Sequence, residues 1–455
     1  MGTRRPSGGC LARPAALVLA CATILGIRPG AIAAEPAPTY CRDVRPILQA
    51  RCVSCHRKDH VGPFALETYE QARKRAGDLA AVAEDRSMPP WKANPDFGPP
   101  LKHDPTLSPA EIAVLRSWAE AGAPKGEGPE GAARPASAGG WTLGEPDVVL
   151  EMTESFTVPA TGSDIYRCFV IPSKLSRDVY VSAVEYLPGN RRAVHHVMAF
   201  LDLQGGGRAR DKAEAGPGYT SYSGAGVPVD GDLGGYAAGN QAVLLPDGVG
   251  RLVQRGADVI LQVHYHPTGK PEVDRTKLGL HLCRKPVEQS IHWANATNDR
   301  LRLPAGESNV EVKASWHVPV DVEALAVTPH MHQLGRDFRM TALLPDGSSR
   351  DLLDIPQWDP SWQHTYYFKE RVPLPRGTTI QVVAHFDNSD HPRNPHKPPR
   401  LVTWGPASAD EMLVGYIGIV KKGQDLTRSG EKDDLFQILA RQYFRKLNRE
   451  RLVRK

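Results

Sequence analysis

The sequence predicts a multidomain protein, a small all-α domain followed by all-β domains of the sandwich or barrel kind. Three observations predict it. Apolar residues recur at three- and four-residue spacing between about residues 38 and 125, and a Gly-, Pro- and Ala-rich stretch follows. Short β-branched runs between turn signals then fill the chain from Trp141 onward. The 455 residues leave room for about three domains. A charged fraction of 24% and a hydrophobic fraction of 41% are ordinary for a globular protein. The net charge of +5 is small, and Arg4, Arg5, Arg13 and Arg28 supply much of it. Nothing here invokes nucleic acid as a partner.

The first element is a leader. Arg4 and Arg5 precede the short apolar core Ala15 to Ile27, and Ala31-Ile32-Ala33-Ala34 offers small residues for cleavage before Glu35. That is the anatomy of a secretory signal peptide over residues 1–34, with an apolar core too short to span a bilayer. The expectation is an exported protein, periplasmic or secreted. Val18-Leu19-Ala20-Cys21 also resembles a weak lipobox, which keeps lipid attachment at Cys21 as an alternative. No later stretch is long enough for a transmembrane helix, so no such segment is expected in the mature chain.

The helical domain is expected over 35–125. Val44 to Gln49, Tyr69 to Ala83 and Ser108 to Ala121 carry the helical spacing, and Ser108 reads as an N-cap with Pro109 at the first helical position. Within it, Cys52-Val53-Ser54-Cys55-His56 matches the attachment sequence of c-type haem. Two thiols add across two vinyl groups, and the adjacent imidazole becomes the proximal iron ligand. A redox-active cysteine pair is the alternative use of such spacing. Met88, in Arg86-Ser87-Met88-Pro89-Pro90-Trp91, is the candidate sixth ligand, a thioether that raises the potential and suits electron transfer. His60 and His103 are its rivals. With its CxSCH motif and later MPPW, the module resembles the small cytochrome c domains, which implies one covalently bound haem c.

Residues 126–140 read as a linker. Beyond it, runs such as Asp178 to Val184, Val259 to Tyr265 and Thr379 to His385 read as strands, and glycine-rich Gln204 to Gly239 as a long loop without a phosphate cradle. Leu435, Ile438, Leu439, Tyr443 and Leu447 mark an amphipathic helix in a tail over 425–455. Docking on the body is its expected role, a membrane-surface role the alternative. Without Cys10 and Cys21, the five cysteines Cys41, Cys52, Cys55, Cys168 and Cys283 are too few for a disulfide scaffold. Cys168 and Cys283 lie in strand-like segments and could pair, leaving Cys41 odd.

The β region also holds three histidine pairs: His195 and His196, His264 and His266, His330 and His332. On a strand, positions i and i+2 share a face, so His330 and His332 can chelate one ion. Adjacent His195 and His196 point oppositely in a regular strand and need a bend or a strand end to share a metal. Imidazole suits copper, zinc, iron and nickel, while thioether selects toward cuprous copper. A two-His-one-carboxylate iron site with Asp337 ranks below copper.

Taken in order, His195-His196, Leu261-Gln-Val-His264-Tyr265, His330-x-His332 and Asp410-Glu411-Met412-Leu-Val-Gly-Tyr416 are similar to the motifs of the copper type II, ascorbate-dependent monooxygenases. That family includes peptidylglycine α-hydroxylating monooxygenase and dopamine β-monooxygenase, and the likeness runs from about Asp164 to Val420. It implies two jelly-roll-type sandwich domains, here 141–285 and 286–424. It also implies two copper ions: an electron-storing one on His195, His196 and His264, and one on His330, His332 and Met412 where dioxygen reacts. Tyr416 joins His330, His332 and Met412 in the implied catalytic set. The implied reaction hydroxylates a small organic substrate with dioxygen, drawing two electrons per turnover. A redox protein or an ascorbate-like reductant supplies them, with the fused haem domain as donor. His266 shares a strand face with His264, but the family uses only the first histidine there. Two departures bear on substrate. Thr328 stands where the peptide-amidating members place an arginine, and Val414 where they place an asparagine, so the clamp for a peptide carboxylate is missing. A less polar or neutral substrate is expected. The competing readings are a non-catalytic haem or copper electron-transfer protein, and a haem peroxidase with an open sixth position.

Overall fold

Strand patterning carries most of this chain. Val310–His317 alternates, with Val312, Ala314 and Trp316 buried and Glu311, Lys313, Ser315 and His317 exposed, the signature of a strand with one face on a core. Asp258–Tyr265 is buried at every position, as befits the middle strand of a five-stranded sheet. The computed structural model describes residues 37–58, 62–128, 140–222, 224–237 and 242–453. The expected leader over 1–34, the rival ligand His60 and most of the expected linker lie outside the described residues.

Four main sheets are built in two facing pairs. In the first pair, one sheet runs in the order Val148–Glu151, Lys277–Leu282, Val179–Leu187, Val249–Val253, Gln289–Ser290. Its partner runs Tyr219–Thr220, Ile165–Pro172, Asp258–Tyr265, Val194–Asp202, Gly231–Ala237. Val181, Leu278 and Leu280 of one meet Phe169, Val197, Leu261 and Val263 of the other. In the second pair, His292–Thr297, Val414–Lys421, Val322–His330 and Tyr366–Leu374 face Val310–His317, Thr379–Phe386, Gly335–Leu343 and Ser349–Ile355. Ala324, Ile417 and Ile419 there meet Phe338, Met340 and Val382.

The helical segment holds a π-turn, Tyr40–Val44, and the helices Arg45–Arg51, Tyr69–Arg73, Ala76–Glu84 and Pro109–Glu120. Ser108 Oγ accepts from Glu111 N at 3.2 Å, and the Glu111 carboxylate accepts from Ser108 N at 2.7 Å. Tyr40, Leu48, Leu115 and Trp118 form a small local core. After Met88 the chain leaves the helices and docks on the second sheet pair. Asn94 N donates to Asp354 O at 2.8 Å, Lys102 N to Tyr367 O at 2.7 Å, and Lys369 N to Pro100 O at 2.8 Å, while Leu101 bridges Phe368.

These contacts correct the expected architecture of an all-α cytochrome c-like domain followed by two jelly-roll-type sandwich domains. No sizeable all-α domain forms among the described residues: the helices of this segment are five to twelve residues long. From Pro38 to Lys455 the chain is one compact unit, mostly β, at 35% strand and 14% helix. The reason is visible in Pro89, Pro90, Pro95, Pro99 and Pro100, which forbid helix there and leave the backbone free to pair with an edge strand. The division near residue 285 is not a break either. Gln289 and Ser290 pair in parallel with Val249 and Gly250, and Val249, Ile291, Leu325 and Val420 share a cluster.

Two smaller expectations are also corrected. The glycine-rich 204–239 stretch holds the helix Gly206–Ala213 and the strand Gly231–Ala237. The Asp202 carboxylate starts that helix by accepting from Gln204 N, Gly205 N and Gly207 N. Cys168 and Cys283 are both free thiols. Cys168 packs with Tyr219 and Ile260, while Cys283 follows a strand of the opposite sheet and reaches toward Val249 O at 3.8 Å. The C-terminal helix, Leu435–Val453, docks through buried Leu435 and through Gln442, which accepts from Trp316 Nε1 at 2.9 Å. No described helix is long and apolar enough to cross a membrane.

Candidate metal centres

A β-bulge creates the first pocket. Val194 pairs with Tyr265 and His196 with His264, so His195 is the extra residue on its strand. The bulge re-aims a side chain that a regular strand would send to the other face. His195, His196 and His264 thereby gather with their ligand atoms within 4.8 Å of one another. His196 Nδ1 lies 3.4 Å from His195 Nδ1 and 3.2 Å from His264 Nδ1. Two imidazole nitrogens each about 2.0 Å from one ion, at a tetrahedral angle, stand about 3.3 Å apart. The spacing fits a shared metal.

The electrostatics agree with neutral, ligand-ready imidazoles. Although part of its ring meets solvent, desolvation and then His264 push His195 down to about 4. Burial, then His264 and His195, hold His196 well below the ordinary range. Asp164 sits behind the pocket. Its Oδ2 is 3.0 Å from His264 Nε2, and its Oδ1 is 2.9 Å from His266 Nδ1. The close approach of His264, ahead of the hydrogen bonds with Ser408 and His266, holds this carboxyl well below the usual range. A carboxylate behind a metal-ligating imidazole fixes its orientation. Tyr166 stacks on His264 at 4.2 Å, with 11° between the rings. His266 is exposed, tied to Asp164, and outside the group of three.

The second pocket forms where Val322–His330 ends. His330 pairs with Val414, and Thr328 with Tyr416. The His330 and His332 rings stand 5.2 Å apart at 88°. His330 Nδ1 contacts Gln363 Oε1 at 2.5 Å, and His332 Nδ1 contacts Asp410 O at 3.1 Å. Both acceptors call for the Nδ1–H tautomer, which leaves each Nε2 lone pair for a metal. Burial, then His332, pushes His330 down to about 3, and burial also lowers His332.

The backbones of His332 and Met412 are tied together through Glu411. This fully buried carboxylate accepts from His332 N at 2.9 Å, Met412 N at 3.1 Å and Leu334 N at 2.6 Å. Burial pushes it up to about 7 against those three donors. Tyr416 lies two residues past Val414, on the same strand face, and burial pushes its phenol up to about 12. Asp337 is taken by His385 at 2.8 Å, so it does not complete an iron site with His330 and His332.

The two pockets sense each other: His330 and His332 both oppose protonation of His196, and His264 opposes that of His332. One loop links them. Ser408 Oγ donates to Asp164 Oδ2 at 2.7 Å and lies 3.4 Å from the Tyr166 hydroxyl, while Asp410 and Glu411 of the same loop hold His332. The histidine motifs gave no sign of Asp164, Tyr166, Gln363 or Ser408. Glu411 belongs to the Asp410-to-Tyr416 motif, but nothing in that motif marks its carboxylate as a bracket.

In the helical segment, Cys52 and Cys55 lie in the turn after Arg45–Arg51, both half-buried. Burial pushes Cys52 up to about 12 and raises Cys55 as well. His56 Nδ1 contacts Phe64 O at 3.1 Å, which frees Nε2 as a ligand atom. A Cβ on Gly62 would stand 2.8 Å from His56 Nδ1, so close approach to this imidazole requires glycine there. Met88 is 38% exposed and lines a small cleft with Ala83, Leu107 and Ile112. His103 is exposed, with a left-handed backbone.

No family model matches the chain, and no curated protein matches it. Among solved structures it is similar to the major capsid protein P2 from bacteriophage PM2, at 10% identity and a TM-score of 0.26. That match covers 61% of this chain and 98% of the other. It is also similar to the infectious bursal disease virus VP2 subviral particle, at 11% identity and a TM-score of 0.19, covering 64% of this chain and 75% of the other. Likenesses this low bear on neither site.

Proposed function

We propose that this chain is a copper-dependent monooxygenase that hydroxylates a small organic substrate with dioxygen and carries one covalently bound haem c as its electron donor. The observation that carries the proposal is the pair of unlike histidine pockets. Three Nδ1 atoms converge at metal-sharing distance in one. In the other, two imidazoles have Nδ1 tied to acceptors and Nε2 left over.

His195, His196 and His264 would hold one copper; His330, His332 and Met412 would hold the other, the thioether favouring the cuprous state. Cys52, Cys55 and His56 would hold the haem, with Met88 as sixth ligand. When bound, these groups supply single electrons and a site for dioxygen. The chain's own residues keep His195, His196, His330 and His332 neutral by burial, orient the imidazoles through Asp164, Gln363 and the Asp410 carbonyl, and offer neutral Thr328 and Val414 beside the second pocket. That neutrality favours a substrate without a carboxylate. Haem attachment of the CxxCH kind goes with a location outside the cytoplasm, periplasmic or secreted, and an external redox protein or ascorbate-like reductant supplies electrons.

The test is oxygen uptake by copper-loaded protein with ascorbate and a panel of small neutral organic compounds under labelled dioxygen. One labelled hydroxyl per dioxygen consumed supports the proposal. Loaded protein that takes up no oxygen with any compound, while still exchanging electrons, makes the chain an electron-transfer or copper-binding protein.

A further inference from the structure

The segment that follows Met88 leads directly to the second histidine pocket. Trp91, three residues on, packs against the second core and meets Tyr366 edge-on, with ring centroids 4.9 Å apart at 76°. Tyr366 is 1% exposed and pairs with Val327, three residues before His330 on the neighbouring strand. Its ring is 6.3 Å from His364, which stacks on Trp362 at 5.5 Å and 3°. Between those two rings in sequence lies Gln363, whose Oε1 contacts His330 Nδ1 at 2.5 Å.

The path is held rigidly. Asn94 is fixed to Asp354 through both its backbone N–H and its Nδ2, and Lys102 and Pro100 pair with Tyr367 and Lys369. A tether of that kind makes the approach of the Met88 loop to the His330 strand a constant of the fold rather than a product of linker diffusion.

From this geometry we propose that the Trp91–Tyr366 ring contact, continued along the chain through His364 to Gln363, forms the electron route from the helical haem segment to the His330/His332 pocket. The inference rests on the function proposed above. A covalent and closely packed path couples donor and acceptor better than water or an open gap, and edge-to-face packing of the two rings at this distance closes the one non-bonded step between Trp91 and Tyr366. The step is balanced as one electron. Ferrous haem becomes ferric, one cupric ion in the pocket becomes cuprous, and no bond or proton moves; an external one-electron reductant restores the haem.

The test uses full-length protein loaded with haem and copper, without oxygen. A flash-generated reductant reduces the haem, and its reoxidation is followed by visible absorption alongside loss of the cupric electron paramagnetic resonance signal. Trp91→Leu and Tyr366→Leu are expected to slow this transfer at least about tenfold, and Trp91→Phe less. Haem content, copper content and turnover with a reductant that acts on copper directly stay at wild-type levels. If Tyr366→Leu fails to fold, the two Trp91 variants carry the test. Wild-type rates in fully loaded Trp91→Leu overturn the route alone, as does a loaded wild type that shows no transfer. Wild-type protein that takes up no haem or no copper overturns the underlying function and the route with it.

Discussion

The backbone N–H groups of His332 and Met412 donate to the same oxygen of Glu411, at 2.9 and 3.1 Å. One buried carboxylate thus fixes the spacing of two segments separated by eighty residues of chain. Glu411→Ala leaves three N–H groups without acceptors, one buried and two partly buried, and a buried one costs about 1–3 kcal/mol. The expected outcome is a loss on the order of 3 kcal/mol or more in chemical denaturation, with copper lost from the second pocket and kept in the first. Unchanged copper content in a folded variant contradicts the bracket.

Asp164 and Ser408 make a separate prediction. Asp164 backs His264 directly, whereas Ser408 reaches the pocket through Asp164 and, at 3.4 Å, through the hydroxyl of Tyr166. Asp164→Ala is expected to weaken copper binding at the first pocket about 10- to 100-fold, as read by competition with a chelator of known affinity. Ser408→Ala should weaken it far less. Equal losses would mean that the loop, not the carboxylate, sets the ligand.

His364 gives a pH signature outside both ligand sets. Its Nε2 is buried without a hydrogen-bond partner, and burial pushes the imidazole down to about 4. The unfolded chain takes up a proton near pH 6.5 that the folded chain refuses until about 4, so stability falls as pH drops through that window. His364→Phe is expected to keep or raise stability at pH 7 and to lose less between pH 7 and pH 4 than wild type. Parallel melting-temperature curves for the two proteins would refute this.

Much of the candidate site was legible because its chemistry is local in sequence. His330-x-His332 announces itself by spacing, and Ser108 with Glu111 announces a helix start. The meeting of adjacent His195 and His196 was legible only as a requirement, since a bulge is set by cross-strand register with Tyr265 and His264. The supporting residues were not legible at all. Asp164, Gln363 and Ser408 are ordinary polar residues until long-range pairing brings them to an imidazole. The architecture misled for a related reason. Helical periodicity between residues 38 and 125 describes each helix but says nothing of Trp91 to Lys102, whose partners lie more than 250 residues away.

The two-copper reading separates pocket by pocket. In His195→Ala the first pocket keeps two imidazoles, and in His330→Ala the second keeps one imidazole and Met412. Each variant is expected to lose one copper, leaving cupric resonance spectra that differ from each other and sum to that of wild type. Loss of both coppers in either variant would instead make the two pockets one site.

Copper stoichiometry tests the central claim most directly, measured by elemental analysis of full-length protein after copper loading and removal of excess metal. Two coppers per chain, falling to one in His195→Ala and to one in His330→Ala, is the predicted result. Protein that retains no copper with all five histidines intact would contradict it.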